Sequence, residues 1–201
     1  MIQPNFKVAT INLGQNHDEI VIEPLPQNFG HTVGNALRRV LLNSLVGAAP
    51  VRVKIEGVQH QFSTLSGVQE DILQFVLNLK ELRFVIENGE SAQVKLEVKG
   101  EGKYTGADLK LPASVRLINS DKELVTLTTS KAKLFATIDI ENGTGYVSST
   151  RYATNEVGVI PLDATFSPIL KANYIVEATR VGRTTNLDKV RMDIITDGSI
   201  D

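Results

Sequence analysis

FGHTVGNALRRVLLNSL, Phe29 to Leu45, is the stretch on which the reading of this fold turns. At 100° per residue, Val33, Ala36, Leu37, Val40, Leu41, Ser44 and Leu45 fall within one broad sector of a helix. The spacing predicts about three to four turns over residues 33–45, with Thr32 as N-cap and Gly47 as C-cap. That sector is suited to packing on a sheet or on another helix. Asn35, Arg38, Arg39 and Leu42 project to the other side, with Leu42 near the middle and the arginines flanking it. Such a face is read in two ways. It is either a solvated helix surface or a docking surface, on which guanidinium groups grip carboxylates and a leucine supplies a desolvated anchor. Periodicity leaves both open.

Working outward, KVATINL (Lys7–Leu13) and DEIVIEPL (Asp18–Leu25) flank the turn-forming GQNH and read as a hairpin whose second strand is stopped by Pro24 and Pro26. Beyond the helix, VRVKIEGV alternates apolar Val51, Val53 and Ile55 with charged Arg52, Lys54 and Glu56, the pattern of a half-buried strand. SGVQEDILQFVLNLKEL predicts a second helix, with Ser66 and Gln69 at capping-box spacing and Val68, Ile72, Phe75, Val76 and Leu79 on one face. The runs RFVIE, QVKLEVK, ASVRLI, LVTLT and KLFATIDIE follow, separated by turn signals at Asn88-Gly89, Gly100–Gly106, Asn119–Asp121 and Asn142–Gly145. VIPLDATFSPILKANYIVEATR then leads to a last alternating strand, KVRMDIIT. The pattern is α+β, and 201 residues fit one domain with a large insertion as well as two small domains.

A net charge of -2 and 5% aromatic residues argue against a domain-wide nucleic-acid surface. The lack of cysteine excludes disulfides, thiolate catalysis and Cys-ligated zinc, and suits a reducing compartment. No apolar run approaches the roughly 20 residues of a membrane span, and the N-terminal stretch has no signal-peptide core, so an intracellular protein away from membranes is expected. His17, His31 and His60 lack metal-ligand spacing, and GEGKYTG (Gly100–Gly106) departs from the phosphate-loop pattern. Glu70 and Asp71, neighbours on the expected second helix, diverge by about 100° and read as a solvated face rather than a catalytic pair. GTGYVSS and TFSPI are not nucleophile elbows. No catalytic residue, metal site or cofactor is expected.

The chain also resembles a known family. FGHTVGNALRRVLLNSLVGAA is similar to the assembly helix of the bacterial RNA polymerase alpha subunit, N-terminal domain. Five further blocks resemble that family in its own order: VKIEGVQHQFSTLSGVQEDILQFVLNLK (Val53–Lys80), TGADL (Thr105–Leu109), GTGYV (Gly143–Val147), IPLDATFSPI (Ile160–Ile169) and TRVGRTTNLDKVRMDIITDGSI (Thr179–Ile200). Thr144 stands where the family usually has arginine, Ser148 where proline is common, and Asn186 where aspartate is frequent.

The resemblance implies a discontinuous dimerisation domain, residues 1–47 and 168–201, with a β-rich domain inserted at 48–167. It implies a cytoplasmic homodimer on which the beta and beta-prime subunits assemble, with no catalysis by the chain itself, the catalytic magnesium belonging to beta-prime. Arg39 matches the family's second assembly arginine, which engages beta, and Leu42 matches an outward leucine of the same patch, with Asn35 and Arg38 beside them. The block holding His60, Ser63, Glu70 and Asp71 resembles a further segment facing the large subunits. Arg180 and Lys189 resemble a region involved with beta-prime, while Val33, Leu37, Val40 and Leu41 would serve the sheet and the dimer contact. Family members continue past TDGSID into a dimer helix, a linker and a domain that binds promoter DNA and activators, so direct DNA contact is not expected of this segment. A stand-alone homodimeric scaffolding domain of the same fold is the competing expectation.

Overall fold

The computed structural model describes residues 6–154 and 156–200. In chain order the elements are β1 (Lys7–Gly14), β2 (His17–Pro26), α1 (Phe29–Asn43), β3 (Val46–Ile55), α2 (Ile72–Lys80), β4 (Phe84–Ile86), β5 (Ser91–Lys99) and β6 (Gly102–Thr105). They continue with β7 (Leu109–Lys110), β8 (Val115–Leu117), β9 (Glu123–Leu127), β10 (Lys133–Thr144), β11 (Tyr146–Val147), β12 (Val159–Pro161), β13 (Ala164–Thr165), β14 (Ile169–Val181) and β15 (Thr184–Thr196). The fold is α+β and mostly sheet. Two compact units are present, Met1–Leu45 with Ser167–Asp201, and Val46–Phe166.

The first unit is an antiparallel sheet in the order β1-β2-β15-β14, with α1 on one face. Alternation sends Ile20, Ile22, Val190, Met192, Ile194, Ala172, Tyr174 and Val176 to that face, where they meet Val33, Leu37, Leu41, Leu42 and Leu45. The other face carries cross-strand ion pairs. Arg191 bonds Glu19 at 2.7 Å and Glu177 at 3.2 Å, and Lys171 bonds Asp193 at 2.6 Å. The second strand is not stopped at Pro24 but runs on to Pro26. Pro24 falls between the pairs Val190↔Ile22 and Asp188↔Leu25, where the register against β15 slips, so a missing N–H costs the ladder little there.

The first helix begins four residues earlier than its apolar pattern predicts and ends at Asn43. Thr32 lies inside it. Asn28 is the N-cap residue, in left-handed conformation and with no side-chain capping bond; the capping acceptor comes from the sheet, where Asp188 Oδ2 accepts from the Gly30 N–H at 2.9 Å. Ser44, not Gly47, closes the helix, its N–H donating to Val40 O at 2.9 Å, and Gly47 lies in β3 opposite Gly143.

The second unit is built on the strand path β7-β5-β10-β3-β4-β8, with β12 also pairing β3. Val53, Ile55, Val94, Leu96, Ile138 and Ile140 form the floor of its core, and α2 covers it with Ile72, Phe75, Val76 and Leu79. Full burial of each such side chain stabilises the unit by about 1.5–3 kcal/mol before the cost of ordering the chain. The opposite side of β3 contributes Ala49 and Val51 to a smaller cluster with Ala164 and Phe166.

The second helix is shorter than predicted, because residues 67–70 bond to β9 and the residue after it instead of coiling. Gly67 has φ +80°, which ends any helix there, and Val68 bridges Leu127. The capping box expected from Ser66 and Gln69 is therefore replaced by Asp71, whose carboxylate accepts from the Gln74 N–H at 2.7 Å.

Candidate functional site

The orientation of α1 follows from two glycines. Gly30 and Gly34, four residues apart, lie one above the other on the buried side. A Cβ at Gly34 would stand 2.4 Å from Tyr174 Cδ2, and one at Gly30 would stand 2.5 Å from Val176 Cγ1. The helix touches β14 through these positions, so its buried sector is centred on the glycines and turned by about 60° from the one that apolar counting picks out.

This rotation corrects four placements. Leu42, assigned by periodicity to the outer face, is half-buried and packs against the sheet cluster. Val40, assigned to the buried stripe, is 51% exposed, and Phe29 on the same flank is 55% exposed. Val33, Leu37 and Leu41 are half-buried in the cluster of their own unit. Ala36 and Ser44, also read as buried, are exposed.

Asn35, Arg38 and Arg39 are exposed. Among the described residues neither arginine makes an ion pair or a side-chain hydrogen bond. Two guanidinium groups thus stand unneutralised on a helix whose other side is locked to a sheet, an arrangement able to accept carboxylates bidentately.

The remaining candidates divide between the units. His60, Ser63, Glu70 and Asp71 gather around the start of α2 in the second unit. His60 Nδ1 and Ser63 Oγ are 3.2 Å apart, and Ser63 O accepts from the Ile72 N–H at 3.4 Å. Glu70 is not simply a solvated carboxylate, since its Oε2 accepts from the Thr126 N–H at 2.7 Å, and Asp71 is the α2 cap. Both carboxylates therefore hold the segment in place, while His60 is exposed and Ser63 half-buried beside it.

Arg180 and Lys189 belong to the first unit, on the half of the β14–β15 hairpin nearest its turn. The Arg180 Nε–H donates to Gly182 O at 2.7 Å, and Lys189 Nζ lies 3.9 Å from Glu23, which also accepts from the Thr179 hydroxyl at 3.2 Å. Farther along the same sheet, the Lys171 ammonium and the His17 imidazole bonded to Asp193 hold its carboxyl below the usual carboxylate range. Ser148 has a local task as well, accepting from Thr150 at the start of a 3-10 turn.

Apolar counting missed Gly30, Gly34, Tyr174 and Asp188, the residues that aim the helix. The signal for the first two was present as small residues spaced G-x-x-x-G, which permit close backbone approach. Among the described residues no three His, Cys, Asp or Glu side chains gather to hold a metal, and no helix is long and apolar enough to cross a membrane.

Residues 53–167 match the family described as RNA polymerase Rpb3/RpoA insert domain. Over 200 residues the chain is 46% identical to the DNA-directed RNA polymerase subunit alpha of Heliobacterium modesticaldum, covering 98% of this chain and 63% of that protein. It is 42% identical over 202 residues to the subunit of the same name from Alkaliphilus metalliredigens, and 41% identical over 202 residues to that from Symbiobacterium thermophilum. In both cases the match covers 100% of this chain and 64% of the relative. The chain thus spans a little under two thirds of the length of these relatives.

Proposed function

The chain belongs to the bacterial RNA polymerase alpha-subunit family, and on that premise we propose that it is a non-catalytic assembly subunit of DNA-dependent RNA polymerase, acting as a homodimer in the cytoplasm. The dimer receives the beta and beta-prime subunits, and nucleotidyl transfer belongs to the assembled complex. The first unit is the dimerisation domain and the second is the inserted β-rich domain.

The observation that carries this reading is the pair Arg38 and Arg39 on the exposed side of α1, which has no ion-pair partner among the described residues. A solvated helix face in a protein with 23 acidic residues finds local partners easily, as the ion pairs of β2, β14 and β15 do. Two adjacent arginines left without them suit an acidic partner surface that supplies the carboxylates, with desolvation at the interface strengthening each pair. Arg39 is the beta-engaging residue, with Asn35 and Arg38 beside it. In the second unit His60 and Ser63 are assigned to beta, and in the first unit Arg180 and Lys189 are assigned to beta-prime.

The dimer contact is assigned to the flank that the sheet leaves uncovered. Val40 and Phe29 supply exposed apolar area there, whereas Val33, Leu37 and Leu41 hold α1 to its own sheet. Co-expression of the chain with beta tests the proposal. The wild type co-purifies with beta as a dimer and Arg39→Ala loses beta while remaining dimeric. Undiminished beta binding by Arg39→Ala removes the assignment, and a dimer that captures no large subunit from native cells favours a stand-alone scaffold.

A further inference from the structure

Two asparagines in this chain precede glycine, Asn88 and Asn142. An Asn-Gly pair is chemically labile, because the glycine amide nitrogen, unshielded by any Cβ, attacks the asparagine side-chain carbon. The C–N bond so formed closes a five-membered succinimide and expels the side-chain nitrogen as ammonia. Water then opens the ring at either carbonyl to leave aspartate or isoaspartate. The reaction consumes one water, releases one ammonia and needs no oxidant. It does need a backbone free to bring nitrogen and carbon together.

The two sites differ sharply in that freedom. Asn88 and Gly89 are exposed, in the turn between the end of β4 at Ile86 and the start of β5 at Ser91. The turn is anchored on either side, by the Glu87 N–H donating to Ser114 O at 2.9 Å and by Glu90 O accepting from the Asn142 N–H at 2.8 Å. Between those anchors, among the described residues, neither the Asn88 side chain nor the Gly89 N–H makes a hydrogen bond. Gly89 sits at φ +103° in open space, where a Cβ would meet nothing closer than Ser91 O at 3.9 Å.

Asn142, by contrast, lies within β10 opposite Ala48, with its own side-chain amide donating to Gly89 O at 3.1 Å. Gly143 is clamped beneath the Phe166 ring, where a Cβ would stand 2.8 Å from Cδ2. Extended backbone, a tethered side chain and a packed glycine all oppose the rotation that ring closure requires.

We propose that Asn88 is a site of spontaneous succinimide-mediated deamidation in the folded protein and that Asn142 is protected. Conversion places a negative charge between Glu87 and Glu90. In its isoaspartyl form it also lengthens the main chain just before Gly89, which moves the carbonyl that Asn142 holds. The turn at the head of β5 is thus loosened as the protein ages.

The test is to incubate the full folded chain at mildly alkaline pH, with a denatured sample in parallel, and to follow the tryptic peptides Phe84–Lys95 and Leu134–Arg151 by mass spectrometry. In the folded protein the first peptide accumulates aspartyl and isoaspartyl forms. The second lags by roughly tenfold or more, because its reaction waits for local opening of a strand. In denaturant both convert at similar rates, and Asn88→Gln abolishes conversion of the first peptide. Equal rates in the folded protein, protection of Asn88 matching that of Asn142, or faster change at Asn142 each overturns the proposal.

Discussion

Gly34 of α1 lies so close to Tyr174 of β14 that a single added carbon would stand 2.4 Å from the ring. Helix propensity and packing make opposite predictions for Gly34→Ala: propensity favours alanine by about 1 kcal/mol, whereas overpacking costs about 1–3 kcal/mol. The aromatic ring cannot give way as the far end of a flexible side chain would, so packing wins. A lower urea midpoint for Gly34→Ala is expected, and a raised midpoint would show that the helix does not sit where Tyr174 places it.

Arg39→Ala removes an exposed side chain that has no ion pair among the described residues and should leave unfolding within about 0.5 kcal/mol of wild type. Its affinity for beta should fall roughly tenfold or more, the scale of an interfacial arginine anchor. Arg39→Lys should recover only part of that loss, since an ammonium cannot make the planar two-point contact. Unfolding curves and co-purification, measured on the same preparations, check both halves.

Leu42 behaves differently, because it packs against the sheet cluster. Leu42→Asp buries part of a charge with no partner and should lower stability as well as beta binding. Leu42→Met keeps volume and apolarity and should cost less than about 1.5 kcal/mol. Circular dichroism during chemical unfolding separates the two; a fully stable Leu42→Asp would return Leu42 to the outer face.

Val40→Asp introduces a charge at a position already 51% exposed, so the protomer should keep its fold. The proposed dimer should dissociate, since a charge would then oppose its own copy across a two-fold interface. Sedimentation velocity is the measurement, and an unchanged dimer would move the interface elsewhere.

Asp193 sets an acid limb. Lys171 and His17 hold its folded pKa below the usual value, which is about 3.9 in an unfolded chain. A depressed carboxylate contributes stability above the unfolded pKa and loses it as pH falls through the folded one. Wild type should therefore lose urea resistance below about pH 4, and Asp193→Asn should show a shallower decline over the same range.

Much of the fold was legible because alternation and burial coincide. Val53, Ile55, Ile138 and Ile140 are apolar at every second position and lie on the core side of their strands. The second helix was legible in its body, with Ile72, Phe75, Val76 and Leu79 buried as spaced, but not at its start. Residues 67–70 find partners in and just after β9, more than 50 residues onward, and a local pattern cannot weigh a distant partner.

The sequence by itself determined the α+β alternation, the existence of both helices and the family, since these rest on side-chain periodicity and ordered blocks of residues. Only the tertiary structure decided which way the first helix faces. Gly30 and Gly34 add no apolar area to any count, yet the lack of a side chain is what lets the backbone approach Tyr174 and Val176. That contact turns Leu42 inward, leaves Val40 uncovered and sets Arg38 and Arg39 in solvent without ion-pair partners among the described residues, because closest approach, not hydrophobicity, fixes the rotation of a helix on a sheet.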